Sequence, residues 1–274
     1  MAVYIEELDK REGMEVDSLY DQGEEAYASG DFVRALALFT EEWELGHSGD
    51  CLNYMGCCHL SLGEYPAALS CFERLQQESP EWERPVFNLG RVYFRLGELD
   101  KAFRYYETAL RMNPASEDAL YYMGTYYYEV EDYVQAQQCY EQSLKLNEAQ
   151  SETHLNLGMC YVRMSDSKSA FKEFERAFEL DPSCYDAVRN KGLVLLEMRE
   201  FKAALEAFGL AAKIQPDETE CMTGIIYCHA KLKDYETALK IARKLLELEP
   251  GSNQALRFIE KLEVSVTRQI HGES

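Results

Sequence analysis

The chain has 274 residues, 46% of them hydrophobic, and 49 acidic against 28 basic side chains give a net charge of −21. Such acidity sets the surface against nucleic acid and the anionic membrane leaflet, and no apolar run approaches the ~20 residues of a membrane-spanning helix. The opening MAVYIEELDKREG lacks a basic segment followed by an apolar one, so no secretory signal is expected.

Taken in chain order, residues 1–15 read as a polar, acidic segment; up to Asp31 there are ten acidic residues, offset only by Lys10 and Arg11. A recurring phrase then takes over. Gly56, Gly90, Gly124, Gly158 and Gly192 are each 34 residues apart, and so are Ala68, Ala102, Ala136, Ala170, Ala204 and Ala238. Pro80, Pro114, Pro182, Pro216 and Pro250 lie on the same grid, with Glu148 in the missing slot. An earlier unit with Gly23, Gly30, Ala35 and Phe39 fits with one residue fewer before the next. A strict period of this length predicts a stacked array in which each repeat buries its face against its neighbours. Seven units follow, at 16–48, 49–82, 83–116, 117–150, 151–184, 185–218 and 219–252, in one continuous domain. Residues 253–270 then read as a capping helix, with Asn253 as N-cap and Leu256, Ile259, Leu262 and Val266 on one stripe. Val264 and Ile270 lie off that stripe, which leaves dimerisation open, so a homo-oligomer is a possible state. The tail 271–274 is expected to be disordered.

Within the unit 83–116, Val86, Leu89, Gly90 and Tyr93 fall at i, i+3, i+4 and i+7, one face of a helix. Leu99, Ala102, Tyr106 and Ala109 repeat the pattern after Gly97, which predicts two helices joined by a short Gly-containing turn. Gly90 and Ala102 let the helices approach, with Tyr93 and Tyr106 filling the space around them. Pro114 ends the second helix.

This pattern of Leu/Gly/Tyr, then Ala/Phe/Ala, then Pro resembles the tetratricopeptide repeat. The family's first-helix Trp is replaced here by Leu52, Val86, Leu120, His154, Val188 and Met222. The resemblance implies an all-α, right-handed superhelical solenoid of seven helix-turn-helix repeats with a C-terminal capping helix, whose first helices line the concave side. On the family's pattern the exposed positions of the third unit include Arg84, Asn88, Arg91 and Arg95, one stripe at steps of three and four. The next unit presents Tyr122 and Tyr128, and later units Asn156, Arg163, Arg189 and Asn190. Asn88, Asn156 and Asn190 share one position, and related arrays use Asn there to hold peptide main chain. An amide supplies both the donor and the acceptor this requires. Arginine adds bidentate pairing to carboxylates and stacking on aromatic rings. Chaperone-binding members carry a clamp of Lys and Asn at the fifth and ninth first-helix positions. Those slots hold Asn53 and Cys57, Phe87 and Arg91, and Tyr121 and Thr125, so that function is not carried over.

The nine cysteines are odd in number and show no pairing pattern. Cys58, Cys160 and Cys228 share one repeat position and Cys71 and Cys139 another, which marks them as packing residues and argues for a reducing cytoplasm. Cys57 falls on the concave register, so it is the one expected to react. No close cysteine pair offers a zinc site. His59 and His229 occupy the slot of Tyr93, Tyr127 and Tyr161 and read as core histidines facing the second helix. Phosphate-cradling and nucleophile-elbow motifs are absent. No metal, cofactor or catalytic residue is therefore expected. The function that follows is binding: a cytoplasmic scaffold or adaptor that holds an extended, acidic segment of a partner protein through Arg84, Asn88, Arg91, Arg95, Tyr122, Tyr128, Asn156, Arg163, Arg189 and Asn190. The alternative is a structural protein assembling through array ends or the convex face, and the lesser reading of the arginines is that they pair with neighbouring acids of the chain itself.

Overall fold

A computed structural model describes residues 18–216 and 218–271. The expectations for 1–15 and for 272–274 fall outside these residues. The described residues form fifteen helices and no strand. By compactness the chain divides into two units, Met1–Tyr122 and Met123–Ser274, and each is treated by itself.

The first unit holds α1 (Leu19–Ala28), α2 (Phe32–Gly46), α3 (Gly49–Ser61), α4 (Tyr65–Glu78), α5 (Glu83–Arg95), α6 (Leu99–Met112) and the start of α7 (Glu117–Glu129). Its hairpins close because a glycine of the first helix accepts a ring of the second. A Cβ on Gly23, Gly56 or Gly90 would sit 2.8, 2.6 and 2.6 Å from Phe39, Phe72 and Tyr106 respectively. All three rings are fully buried. Tyr93, expected beside Tyr106, instead stacks on Tyr105 at 5.3 Å.

The second unit holds the rest of α7, then α8 (Tyr133–Leu146), α9 (Ser151–Arg163), α10 (Ser167–Leu180), α11 (Tyr185–Glu197), α12 (Phe201–Ile214), α13 (Thr219–Lys231), α14 (Tyr235–Leu248) and α15 (Asn253–His271). The same glycine and ring contact recurs at Gly124 with Tyr140, Gly158 with Phe174 and Gly192 with Phe208. The hairpin of α13 and α14 reverses it. There the glycine slot holds Ile226 and the ring slot holds Ala242, both fully buried in one cluster with Leu245 and Leu262. The volume moves from the second helix to the first, and the contact stays filled.

The turns inside the hairpins are alike, although their sequences are not. Gly30, Gly63 and Gly97 have φ of 81°, 77° and 77°, while Glu131, Ser165, Arg199 and Lys233 take the same slot with φ between 62° and 64°. At each, the following N–H reaches the carbonyl five residues back, as from Glu98 to Tyr93 or Asp166 to Tyr161. This is the Schellman ending of a helix. The residue after the turn then caps the second helix; Asp31, Asp132, Asp166 and Asp234 each accept a backbone N–H three residues on.

Two expectations for α15 are corrected. The N-cap is Ser252, whose hydroxyl accepts the Ala255 N–H at 3.4 Å, because the helix begins at Asn253 itself, one residue earlier than that role for Asn253 requires. Leu256 is half exposed, and the packed stripe runs instead through Ala255, Phe258, Ile259 and Leu262. The helix also continues to His271.

All nine cysteines are free, and all but Cys139 and Cys184 are buried. Burial pushes the thiols of Cys58 and Cys160 up to about 12 and those of Cys71, Cys139 and Cys228 up to about 11. Cys57, expected to be accessible, is buried with Arg91 lying across it; burial raises its pKa, and the neighbouring Arg91 opposes that shift. His59 and His229 each place Nδ1 on the acid that precedes the second helix, Glu64 at 2.6 Å and Asp234 at 2.9 Å.

Candidate peptide-binding faces

In the first unit the stripe expected on α5 runs from buried to exposed. Arg84 and Arg95 are exposed. Asn88 is buried, and its amide is already in use. Its Nδ2 donates to Asn53 Oδ1 at 3.0 Å, and its Oδ1 accepts from Arg91 Nη1 at 2.9 Å. It therefore acts between α3 and α5 and does not stand open for a partner's main chain. Asn53 did not stand out in the sequence because it lies 35 residues before Asn88, one off the period.

Arg91 is the centre of this face. Its Cζ lies 4.7 Å above the Tyr122 ring, within reach of a cation–π contact. The Tyr122 ring is in turn stacked against Phe87 at 6.0 Å and Tyr106 at 6.1 Å. Beneath, Nη1 touches Cys57 Sγ at 4.0 Å. Among the described residues no carboxylate lies within ion-pair distance of Arg91; Asp118 is coupled to Arg84 and Arg91 electrostatically but stands beyond that distance from both.

The second unit treats its arginines differently. Arg163 is exposed, lies 4.5 Å over the Tyr133 ring and pairs with Glu131 at 3.7 Å. Tyr128 meets the edge of the same Tyr133 ring at 5.4 Å. Arg189 is held from both sides by Asp186 at 3.2 Å and Glu220 at 2.7 Å, and also donates to Asn190 Oδ1 at 3.3 Å. Asn190 is buried and directs Nδ2 to Met159 Sδ at 3.4 Å. Asn156 is half-buried on α9. The structure thus joins Asn88, Arg91 and Tyr122 in one cluster, Arg163, Tyr128 and Tyr133 in another, and Arg189 with Asn190 in a third.

The tetratricopeptide repeat model matches residues 85–149 and 115–183, and a second model of the same repeat matches 161–219. The model of the Fis1 C-terminal tetratricopeptide repeat matches 227–271. No curated protein sequence matches the chain. Similar solved structures include YrrB, a tetratricopeptide repeat protein with an unusual peptide-binding site, 24% identical over 68% of this chain and 96% of its own, with a TM-score of 0.62. PilF of Pseudomonas aeruginosa is 21% identical over 79% of this chain and 96% of its own, at 0.68. MamA of Desulfovibrio magneticus is 22% identical over 63% and 97%, at 0.58. At these identities the likeness is one of fold. The repeat models nevertheless together cover residues 85–219 and 227–271, more than half of the chain, and the chain belongs to the tetratricopeptide repeat family.

Proposed function

We propose that this chain is a protein-interaction scaffold that holds an extended, acidic segment of a partner against the first-helix faces, with the first unit supplying the anchoring cation. One observation carries the reading. In a chain of net charge −21, Arg91 is held in place by an amide and a tyrosine ring and is left without a carboxylate among the described residues. Arg163 and Arg189 already have acids of their own. Arg84 and Arg95 extend the positive stripe along the exposed side of α5, and Tyr122 offers apolar surface beside it. The peptide-binding site of the similar YrrB supports the reading, and the free thiols suit a cytoplasmic setting. A scaffold of this kind needs no catalytic step.

The test is a display selection of random dodecapeptides against the full chain and against the R91E/R95E variant. Wild type is expected to select peptides enriched in Asp and Glu. The variant is expected to lose them while keeping its helical circular dichroism. Selected peptides without acidic enrichment, or identical sets from both proteins, would refute the reading.

A further inference from the structure

Resting on that reading of the first unit, we infer that the outer edge of the Arg91 guanidinium is a preformed seat for a single carboxylate of the partner. A guanidinium has two edges and a face for its contacts. Here Tyr122 covers a face, at 4.7 Å, and Nη1 is anchored by Asn88 at 2.9 Å. Asn88 is itself fixed by Asn53, so two buried amides hold the arginine in one orientation. Nε and Nη2 make no hydrogen bond to any described residue, and neither is among the fully buried polar atoms left without a partner, so that edge keeps some contact with solvent. Two parallel N–H groups on a fixed plane match the two oxygens of a carboxylate.

The second unit shows what the same combination holds when it is filled. Arg189 also donates to a register asparagine, Asn190, and meets Glu220 on Nη1 and Asp186 on Nη2, while its Nε is buried without a partner. An arginine oriented by the register amide collects carboxylates from the chain in one unit. In the other the arginine is held by a register amide three residues before it, through Nη1, and among the described residues no carboxylate lies within ion-pair distance. Asn88, Asn53 and Tyr122 are positioning residues, and Arg91 alone touches the ligand. The preorganised cation loses less freedom on binding than an exposed arginine such as Arg95.

The probes are small enough to occupy the seat alone. N-acetylglycine stands for a chain-terminal carboxylate, and N-acetylglutamic acid α-amide for a side-chain carboxylate. The full chain with 15N-labelled arginine is titrated with each, and with sodium chloride and sodium phosphate at matched ionic strength. The Nε resonance of Arg91, assigned by its loss in R91K, is expected to shift saturably with one or both carboxylates and more weakly with the inorganic anions. Which carboxylate binds tighter identifies the source. N88A removes the orienting bond without touching the ligand and is expected to weaken binding about tenfold or more, the scale of one hydrogen bond to a charged group. Y122L is expected to act in the same direction. Equal response to phosphate or chloride, no response, or unchanged affinity in a folded N88A variant would overturn the seat. If the seat fails while display still selects acidic peptides that require Arg84 and Arg95, the scaffold reading stands without it. If Arg91 binds carboxylates but no acidic peptides are selected, the seat stands and the scaffold reading falls.

Discussion

The reversed hairpin of α13 and α14 turns the packing argument into a double-substitution experiment. In α9, a Cβ on Gly158 would lie 2.6, 2.7 and 3.1 Å from Cε1, Cδ1 and Cζ of Phe174, whose ring is fully buried. Replacing a mid-helix glycine gains up to about 1 kcal/mol in helix propensity. Overpacking a closed core costs about 1–3 kcal/mol, and more for a branched side chain that must displace a ring. Gly158→Ile is therefore expected to destabilise by about 2–4 kcal/mol, the steric term winning. Phe174→Ala removes a buried ring and is expected to cost about 3–5 kcal/mol. The pair together reproduces the arrangement already present at Ile226 and Ala242, 68 positions further on, where both side chains are fully buried. The double variant is expected to recover about 2 kcal/mol or more relative to the sum of the single costs, a coupling typical of residues in contact. Guanidinium denaturation followed by circular dichroism at 222 nm, read on all four proteins, gives the cycle. Additive costs, or a neutral Gly158→Ile, would refute the claim that the glycine and the ring fill one space.

Arg199 holds a left-handed conformation at φ 63° where three other turns use glycine, so Arg199→Gly is expected to stabilise by about 0.5–1 kcal/mol in the same denaturation assay, and a loss of stability would refute this. Maleimide labelling of the native protein at neutral pH is expected to reach Cys139 and Cys184 before the seven buried thiols, with Cys57 among the slow ones; early labelling of Cys57 by mass spectrometry would contradict the packing of Arg91 across it. Cys58 and Cys160 have folded pKa values raised from 9.0 to about 12, so their contribution to stability is complete below pH 9 and is lost as pH rises toward 12; C58A/C160A is expected to soften that alkaline decline, and an unchanged profile would refute it. Peptides obtained by selection are expected to bind more weakly as salt rises, through exposed Arg84 and Arg95, while retaining the part contributed by Tyr122.

The fold was legible because it is a property of spacing. Gly158 and Phe174 are both small-or-large choices that a 34-residue grid repeats, and nothing beyond the neighbouring hairpin alters them. The turns were legible in shape but not in composition. Glycine marked only the first three, and Glu131, Ser165, Arg199 and Lys233 adopt the left-handed slot because the flanking hydrogen bonds dictate it. The last helix was misread at its start and at Leu256 because the repeat no longer sets the register there, and periodicity alone leaves the stripe uncertain by a residue or two.

The candidate site was legible as a set of positions but not as a set of free groups. Repeat register placed Asn88, Asn190, Arg91 and Arg189 on the first-helix face, and the same register could not say what each would meet there. That depends on the neighbouring hairpin. Asn53 reaches Asn88 from one residue off the period, and Glu220 reaches Arg189 from a helix that the arginine stripe does not include. An acidic chain supplies many carboxylates, and some of its arginines, such as Arg163 and Arg189, are satisfied internally. Around Arg91 the neighbours are Tyr122, Asn88 and Cys57, none of which carries a compensating charge at neutral pH, since burial keeps the thiol protonated. The distinction between a structural and a binding arginine therefore rests on the neighbours of its side chain and not on its place in the repeat. On the proposed reading, the energy of binding an acidic partner at this face is expected to concentrate at Arg91. An exposed pair of the kind Arg95 can form is worth little in water, whereas a carboxylate docked on a guanidinium already stripped of freedom and partly of solvent gains the larger, charge-assisted bond.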